Sequence, residues 1–109
     1  TLLTRYYRDD SDILPMLKTL AQKDNSLAVR RMAVAELAQG FKDDADTLTW
    51  LKTRAQSDEN FDVRMAAVQE LAKGWKDDPD TLPMLKTRAQ SDEDNAVRMV
   101  AVQELAADV

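Results

Sequence analysis

The sequence predicts an all-α protein, a right-handed α-solenoid of three helical hairpins preceded by part of one helix. Two observations predict this fold: an internal repeat of 34 residues that aligns without gaps, and helical spacing of the apolar residues inside each copy. The chain has 109 residues, of which 44% are apolar. This length therefore corresponds to about three stacked units with no single central core.

The repeat is strong enough to define the units directly. The second and third copies agree at 23 of 33 aligned positions, and the first and second agree at 19 of 34. The predicted units are residues 9–42, 43–76 and 77–109, with the third truncated. Residues 1–8 align with residues 69–76, so we expect them to be the end of a preceding unit's second helix. Neither end carries a polar capping repeat, which predicts one continuous repeat domain that is a fragment of a longer protein.

The first helix of each unit has an amphipathic pattern. In the second unit Leu48, Leu51 and Ala55 follow the spacing i, i+3, i+7, which places them on one face. The prolines Pro15 and Pro83 then fall in the first turn, where a missing N–H costs little. The predicted N-caps are Asp12, Asp46 and Asp80. A start two residues earlier remains open, since Asp78 before Pro79 is also a favourable beginning.

The second helix of each unit begins after a residue that can cap it. Its inner face in the second unit consists of Val63, Ala67 and Leu71. The predicted caps are Ser26, Asn60 and Asp94, which differ in type but all accept hydrogen bonds from first-turn N–H groups. We expect Gly40 and Gly74 to end the first two copies as C-terminal caps.

Composition excludes several function classes. The chain contains no Cys and no His, so it has no thiolate nucleophile, imidazole base, disulfide or soft metal ligand. Its net charge of −5 argues against binding nucleic acid or anionic membranes, which require a basic face. No apolar run is long enough to span a bilayer, and no signal peptide is evident. We therefore expect a non-catalytic, cytoplasmic protein without cofactors.

Acidic loops precede the first helices, and they allow two interpretations. They are residues 9–12, 43–46 and 77–80, each with three aspartates. Clustered carboxylates could bind Ca²⁺, but a calcium loop also needs a glycine at its turn and a later bidentate Glu. Aspartates at a helix start satisfy free N–H groups and face the positive end of the helix dipole. Capping is therefore the preferred interpretation, and no metal site is predicted.

Three arginines lie within the apolar face of the second helices. Arg30, Arg64 and Arg98 fall beside the inner stripe when the residues are plotted at 100° each. A buried guanidinium needs a partner, because an unpaired buried charge is very costly. The sequence thus predicts a structural role for these side chains, with ligand binding as the alternative.

Two motifs repeat in phase and indicate a family. The first is L-P-x-L, at residues 14–17 and 82–85, and the second is D-x-x-x-x-V-R-x-x-A-x-x-x-L, starting at Asp24, Asp58 and Asp92. The chain resembles HEAT repeats, and its short unit is similar to the HEAT-like type of phycobilisome lyases. The resemblance implies a hydrogen-bonded ladder between adjacent units, formed by Asp24, Arg30, Asp58, Arg64, Asp92 and Arg98. We expect Arg64→Ala to cost a few kcal/mol by stranding Asp58.

The amino-acid sequence around the second unit also resembles that of a larger class of protein. The string RAQSDE…VR…AVQELAKGWKDDPDTLP is similar to HEAT arrays attached to bacterial NACHT-type ATPases. This resemblance implies the sensor or regulatory arm of a signalling protein whose partner is a protein or another domain of its parent chain. The ATPase itself is not in this chain, because two glycines cannot form G-x-x-x-x-G-K-[ST]. The alternative is a bilin-lyase-like or chaperone-like subunit, for which Tyr6, Tyr7 and Arg8 form the only suitable cluster.

Residues that vary between units, or that recur on the outer side of the second helix, indicate a candidate partner-binding face. Repeat arrays usually keep their frame and alter their reading surface. The repeated glutamates could alternatively form a solvated row, and the variation could be drift. The candidate residues are Met32, Glu36, Gln39, Asp62, Gln69, Glu70, Lys73, Val100, Gln103 and Glu104.

Overall fold

The structure is a computed structural model that describes residues 10–107. Over this range the chain forms six α-helices and no strand, so the predicted all-α class is confirmed. The helices are α1 Ile13–Lys23, α2 Leu27–Gly40, α3 Ala45–Ser57, α4 Phe61–Gly74, α5 Thr81–Ser91 and α6 Asn95–Ala107. The predicted helix in residues 1–8 lies outside the described residues.

The helices pack as three hairpins, α1 with α2, α3 with α4 and α5 with α6. The second helices of neighbouring hairpins stack directly on each other, α2 on α4 and α4 on α6, whereas the first helices make few mutual contacts. The second helices are therefore the closely packed layer, and the first helices are spread apart. We refer to the face of the array that the second helices form as its inner side.

The core is distributed along the array at equivalent repeat positions. Leu17, Leu51 and Leu85 are buried in the three first helices, as the i, i+3, i+7 pattern predicts for this face. The second helices add small or branched side chains that allow close helix contact: Ala33, Val34, Val63, Ala67, Val68, Val97 and Ala101. Each hairpin thus buries its apolar residues partly within itself and partly against its neighbours.

Side chains cap the second helices as predicted. The Ser26 hydroxyl accepts a hydrogen bond from Val29 N at 3.3 Å, and Asn60 Oδ1 accepts one from Asp62 N at 2.8 Å. In the third hairpin Asp94 Oδ1 accepts from Ala96 N, also at 2.8 Å. Three different residue types therefore perform the same capping role.

The starts of the first helices differ in part from prediction. Asp12 and Asp80 occupy the N-cap positions of α1 and α5 but make no side-chain cap bond. In the second hairpin Asp44 is the N-cap, so Asp46 lies inside the helix. The acceptors are Asp10, Asp44 and Asp78, whose Oδ1 atoms bind the backbone N two residues ahead at 2.9 to 3.0 Å. Capping thus starts two residues earlier because these carboxylates form the short local turn.

The glycine prediction was wrong in its geometry. Gly40 and Gly74 are the last residues of α2 and α4, and neither has a positive φ. The C-cap positions are instead Phe41 and Trp75, whose backbone N–H groups bind Leu37 O and Leu71 O. These helices therefore end without the left-handed residue that makes glycine favourable at a helix end.

Candidate functional site

Arg64 links the second and third hairpins. Its Nε and NH2 donate to the two carboxylate oxygens of Asp92 at 3.1 and 3.2 Å, in a bidentate pair. Its NH1 donates to the backbone carbonyl of Asp58 at 2.7 Å. Both Arg64 and Asp92 are buried, so this contact joins two hairpins through a desolvated ion pair that is well supplied with hydrogen bonds.

This arrangement corrects the expected pairing. Arg64 binds the main chain of the aspartate six residues earlier, while its carboxylate partner lies 28 residues later, in the next hairpin. The Asp58 carboxylate accepts instead from Arg54 NH1 at 3.0 Å and from Asn60 N at 2.9 Å. Substituting Arg64 would therefore strand Asp92 and not Asp58.

The other two ladder arginines repeat only the main-chain half of this pattern. Arg30 NH1 donates to Asp24 O, and Arg98 NH1 donates to Asp92 O. The Nε of Arg30 is buried without a hydrogen-bond partner in residues 10–107. Within that range, the bidentate carboxylate link therefore occurs only between the second and third hairpins.

Asp92 has a perturbed acidity because of these contacts. Its burial alone would raise the pKa, but hydrogen bonds from the Asp94 backbone N–H, Arg64 and Arg88 outweigh burial and hold the pKa below its ordinary 3.8. Arg88 NH1 is 3.0 Å from Asp92 Oδ2, so two guanidinium groups face this carboxylate. Asp92 is thus ionised in the folded protein at any pH near neutrality.

We expect an acid-dependent loss of stability from Asp92. Because its folded pKa is depressed, the ionised form stabilises the fold above the unfolded pKa, and this contribution is lost as the pH falls through the folded pKa. Urea unfolding followed from pH 7 down to about pH 2 should therefore show a decline that begins near pH 4. Asp92→Asn should show a shallower decline over the same range; an unchanged decline in that variant would contradict the assignment.

The acidic loop before α5 forms a cross-hairpin ion pair. Lys52 Nζ lies 3.2 Å from Asp78 Oδ1 and 2.9 Å from Asp80 Oδ2. The hydrogen bond from the Asp80 N–H, with Lys52, lowers the pKa of Asp78, and the hydrogen bond to Asp80 raises the pKa of Lys52. In residues 10–107 no group of three or more acidic residues is arranged to hold a metal ion.

The second helices expose a set of residues that we call the inner ridge. It consists of four positions spaced by four residues on each second helix: Leu27, Arg31, Ala35 and Gln39 on α2, Phe61, Met65, Gln69 and Lys73 on α4, and Asn95, Met99, Gln103 and Ala107 on α6. Phe61 and Met99 are 39% and 60% exposed. On α4 the apolar side chains Phe61 and Met65 lie towards the helix start, and Gln69 and Lys73 lie towards its end.

A family comparison matches this repeated architecture. The profile of the family described as HEAT repeats matches residues 14–106. The chain belongs to the HEAT repeat family. No curated protein and no solved structure matches the sequence significantly.

The ten candidate residues fall into two groups in this HEAT array. Gln39, Gln69, Lys73 and Gln103 lie on the inner ridge. The other six lie at positions where one hairpin meets the next: Met32, Glu36, Asp62, Glu70, Val100 and Glu104. Met32 is exposed at the first hairpin, whereas its equivalent Val100 is buried under α4. Glu36, Glu70 and Glu104 are identical in the three units, so they do not contribute to the variation. Asp62 and Val100 are buried and stand at positions that vary, so variation there changes the contacts between hairpins.

Asp62 illustrates this second group. Its side chain is 1% exposed, and its Oδ1 pairs at 3.1 Å with Arg31 NH2 from the preceding hairpin. Its Oδ2 is buried without a hydrogen-bond partner in the described part of the chain. Nearby, Gln39 Nε2 donates to Glu70 Oε1 at 3.0 Å across the same junction. The first junction is thus polar at these two positions, where the second junction has Met65 and Ala96 in place of Arg31 and Asp62.

We expect the double variant Arg31→Met with Asp62→Ala to keep or raise stability. It gives the first junction the residue types of the second and removes a buried carboxylate with one unsatisfied oxygen. The Arg31 side chain is 53% exposed, so solvent screens its attraction to Asp62 and the pair offsets little of the cost of burying the carboxylate. Chemical denaturation measures the change, and a loss of more than about 1 kcal/mol would show that the pair is a net stabilising contact.

Sequence reasoning missed the apolar part of the inner ridge. Phe61, Met65 and Met99 were not among the candidates, because aromatic and Met residues at helical spacing are usually core residues. The signal that could have found them is the i, i+4 spacing that connects Phe61 to Met65 and Met65 to Gln69 on α4, and Met99 to Gln103 on α6. Trp50 is half-buried against the core, with the Arg54 guanidinium 5.9 Å from its ring centroid.

Two further expectations concern ligands and membranes. The cluster of Tyr6, Tyr7 and Arg8, on which the bilin-lyase alternative depends, lies outside the described residues. No helix within residues 10–107 is long and apolar enough to cross a membrane.

Proposed function

We propose that the chain is a non-catalytic protein-binding scaffold and that it forms the sensor or regulatory arm of a larger NACHT-type signalling protein. HEAT repeats generally act as protein-interaction scaffolds, and this chain belongs to that family. The observation that carries the proposal is the inner ridge, which exposes Phe61 and Met99 on the closely packed layer of the array.

The inner ridge has the composition of a protein-binding surface. Aromatic and Met side chains are enriched at interfaces, and Met adapts its shape to different partners. Gln69, Gln103 and Lys73 border the apolar positions and can orient a bound segment through hydrogen bonds or charge. The partner is therefore a protein segment with apolar anchors flanked by polar groups, supplied by another chain or by the parent protein.

The NACHT assignment rests on the resemblance of the repeat sequence to HEAT arrays attached to NACHT-type ATPases, and it needs its own experiment. A photo-crosslinking amino acid at Phe61 would be introduced in cells that make the protein, with the same probe at Thr53 as a matched control. Thr53 is exposed on a first helix and lies outside the inner ridge. The linked peptides would be identified by mass spectrometry.

We expect the probe at Phe61 to link to a polypeptide that carries a G-x-x-x-x-G-K-[ST] loop, on the parent chain or on a partner. Crosslinking no stronger than at Thr53 would contradict the scaffold proposal. Strong crosslinking to a protein without such a loop would support the scaffold proposal but would contradict the proposal that the chain is the arm of a NACHT-type protein. The lyase-like alternative is tested separately by titration with a free bilin, whose visible spectrum we expect to stay unchanged.

A further inference from the structure

The inner ridge carries positive charge although the protein as a whole is acidic. None of its twelve positions is Asp or Glu, whereas the chain has 20 acidic residues and a net charge of −5. Two of the twelve positions are basic, Arg31 on α2 and Lys73 on α4. Helix α4 is stacked on α2 on one side and on α6 on the other, so its ridge residues are exposed with both neighbouring second helices in place.

The polar pairs that cross the first junction bury their carboxylates and expose the other member. The Arg31 side chain is 53% exposed, whereas Asp62, which it binds at 3.1 Å, is 1% exposed. Gln39 is likewise exposed, whereas Glu70, which accepts its hydrogen bond at 3.0 Å, is 7% exposed. Each pair therefore presents a cationic or neutral group on the inner side and covers its acidic group.

Both ridge cations have donors that no group in residues 10–107 occupies. Lys73 is exposed in the last turn of α4 and forms no ion pair within that range. The Arg31 guanidinium donates there only to Asp62, through NH2. A guanidinium group has five N–H donors, so most of those of Arg31 are open to solvent. Each cation can therefore bind a carboxylate of another molecule.

The two cations lie at different heights on the ridge. Met65 is the α4 equivalent of Arg31, and Lys73 follows it by eight residues, or about 12 Å along the helix. A single phosphate group is too small to bind both cations across this distance, whereas two separate carboxylates can. Phe61, which is 39% exposed, lies one turn before Met65 and provides apolar area at the Arg31 end. The ridge is thus complementary to an apolar anchor with carboxylates at two separate positions.

We propose that the partner of the inner ridge is an acidic, amphipathic protein segment. An aromatic or aliphatic side chain of this segment packs on Phe61 and Met65, and two of its carboxylates bind Arg31 and Lys73. This inference rests on the scaffold function proposed above and specifies the chemistry of the partner. Exposed charge pairs of this kind select and orient a partner more than they add affinity. Nucleic acid is disfavoured, because two cations neutralise few phosphates on a chain of net charge −5.

The test selects random phage-displayed peptides of about 16 residues, which span about 24 Å when helical, on the wild-type chain. The enriched peptides should be negatively charged, contain an aromatic or aliphatic residue, and lose binding to Phe61→Ser. Lys73→Glu should weaken their binding by about threefold to tenfold, because it replaces an attraction by a repulsion. The matched control is Lys86→Glu, which makes the same change of charge at an exposed position of α5 outside the ridge and should bind like the wild type.

A second variant separates the charge of the ridge from the charge of the whole chain. The double variant Arg31→Met with Asp62→Ala removes the exposed cation at unchanged net charge, and it should weaken binding of the same peptides by about twofold or more.

Peptides that depend on Phe61 but are neutral or basic, or that bind Lys73→Glu as well as the wild type, would overturn this inference and not the scaffold proposal. A single-stranded DNA oligonucleotide that binds more tightly than the peptides and is lost in Lys73→Glu would also overturn it. Selection that yields no peptide dependent on Phe61 would contradict the scaffold proposal together with this inference.

Discussion

Arg64→Ala should lower the free energy of unfolding by about 3 to 5 kcal/mol, the usual cost of removing one partner of a buried ion pair. The substitution leaves the Asp92 carboxylate, which is 3% exposed, without its bidentate partner, and leaves the Asp58 carbonyl without a donor. Arg88 remains 3.0 Å from Asp92 and offsets part of this penalty. Urea denaturation of the wild type and the variant measures the difference.

A double-mutant cycle identifies which aspartate carries this effect. Arg64 and Asp92 should show a strong interaction energy, because removing both leaves no stranded charge. The changes in the free energy of unfolding caused by substituting Arg64 and Asp58 should be nearly additive, because Arg64 contacts the main chain of Asp58 and not its side chain. The matched control is Arg30→Ala, which lacks a carboxylate hydrogen bond in residues 10–107 and should cost clearly less. Equal losses for the two arginine variants would show that the bidentate link contributes little.

The ladder also shows where sequence reasoning reached its limit. The helical period predicted that Arg64 would be buried and would need a partner, because the spacing of one helix determines which face it shares with apolar residues. It could not select Asp92 over Asp58, since that choice depends on how the next hairpin is placed. Local contacts, by contrast, were predictable, because the capping residues Ser26 and Asn60 bind backbone N–H groups only two or three residues ahead of them.

Which residues of the second helices are exposed on the inner ridge also depends on how neighbouring hairpins are placed, which the sequence did not predict. Asp62 and Phe61 are adjacent in sequence, and both lie at the start of α4. The stacking of α2 on α4 covers Asp62 and leaves Phe61 exposed, and the Arg31 side chain completes the coverage of Asp62. Variation between repeats could therefore mark positions of interest, but it could not separate contacts between hairpins from a surface open to partners.

Leu71→Ala should destabilise the array by about 2 to 5 kcal/mol, the range for truncating a buried leucine to alanine. Leu71 is 1% exposed and lies in α4, the helix that contacts both neighbouring second helices. Its removal leaves a cavity between tightly packed hairpins, where relaxation is limited by contacts on both sides. Thermal and urea unfolding of the variant against the wild type would measure this loss.

The repeat provides a matched control for this effect in Leu105, which occupies the same position in the third hairpin but is only half-buried. Leu105→Ala removes the same atoms from a site with a neighbour on one side in residues 10–107, so it should cost clearly less than Leu71→Ala. In a repeat array, stability is approximately a sum of unit and nearest-neighbour terms, so the central unit carries two junction terms. If both substitutions cost the same, the central hairpin contributes no more through its junctions than the last one does.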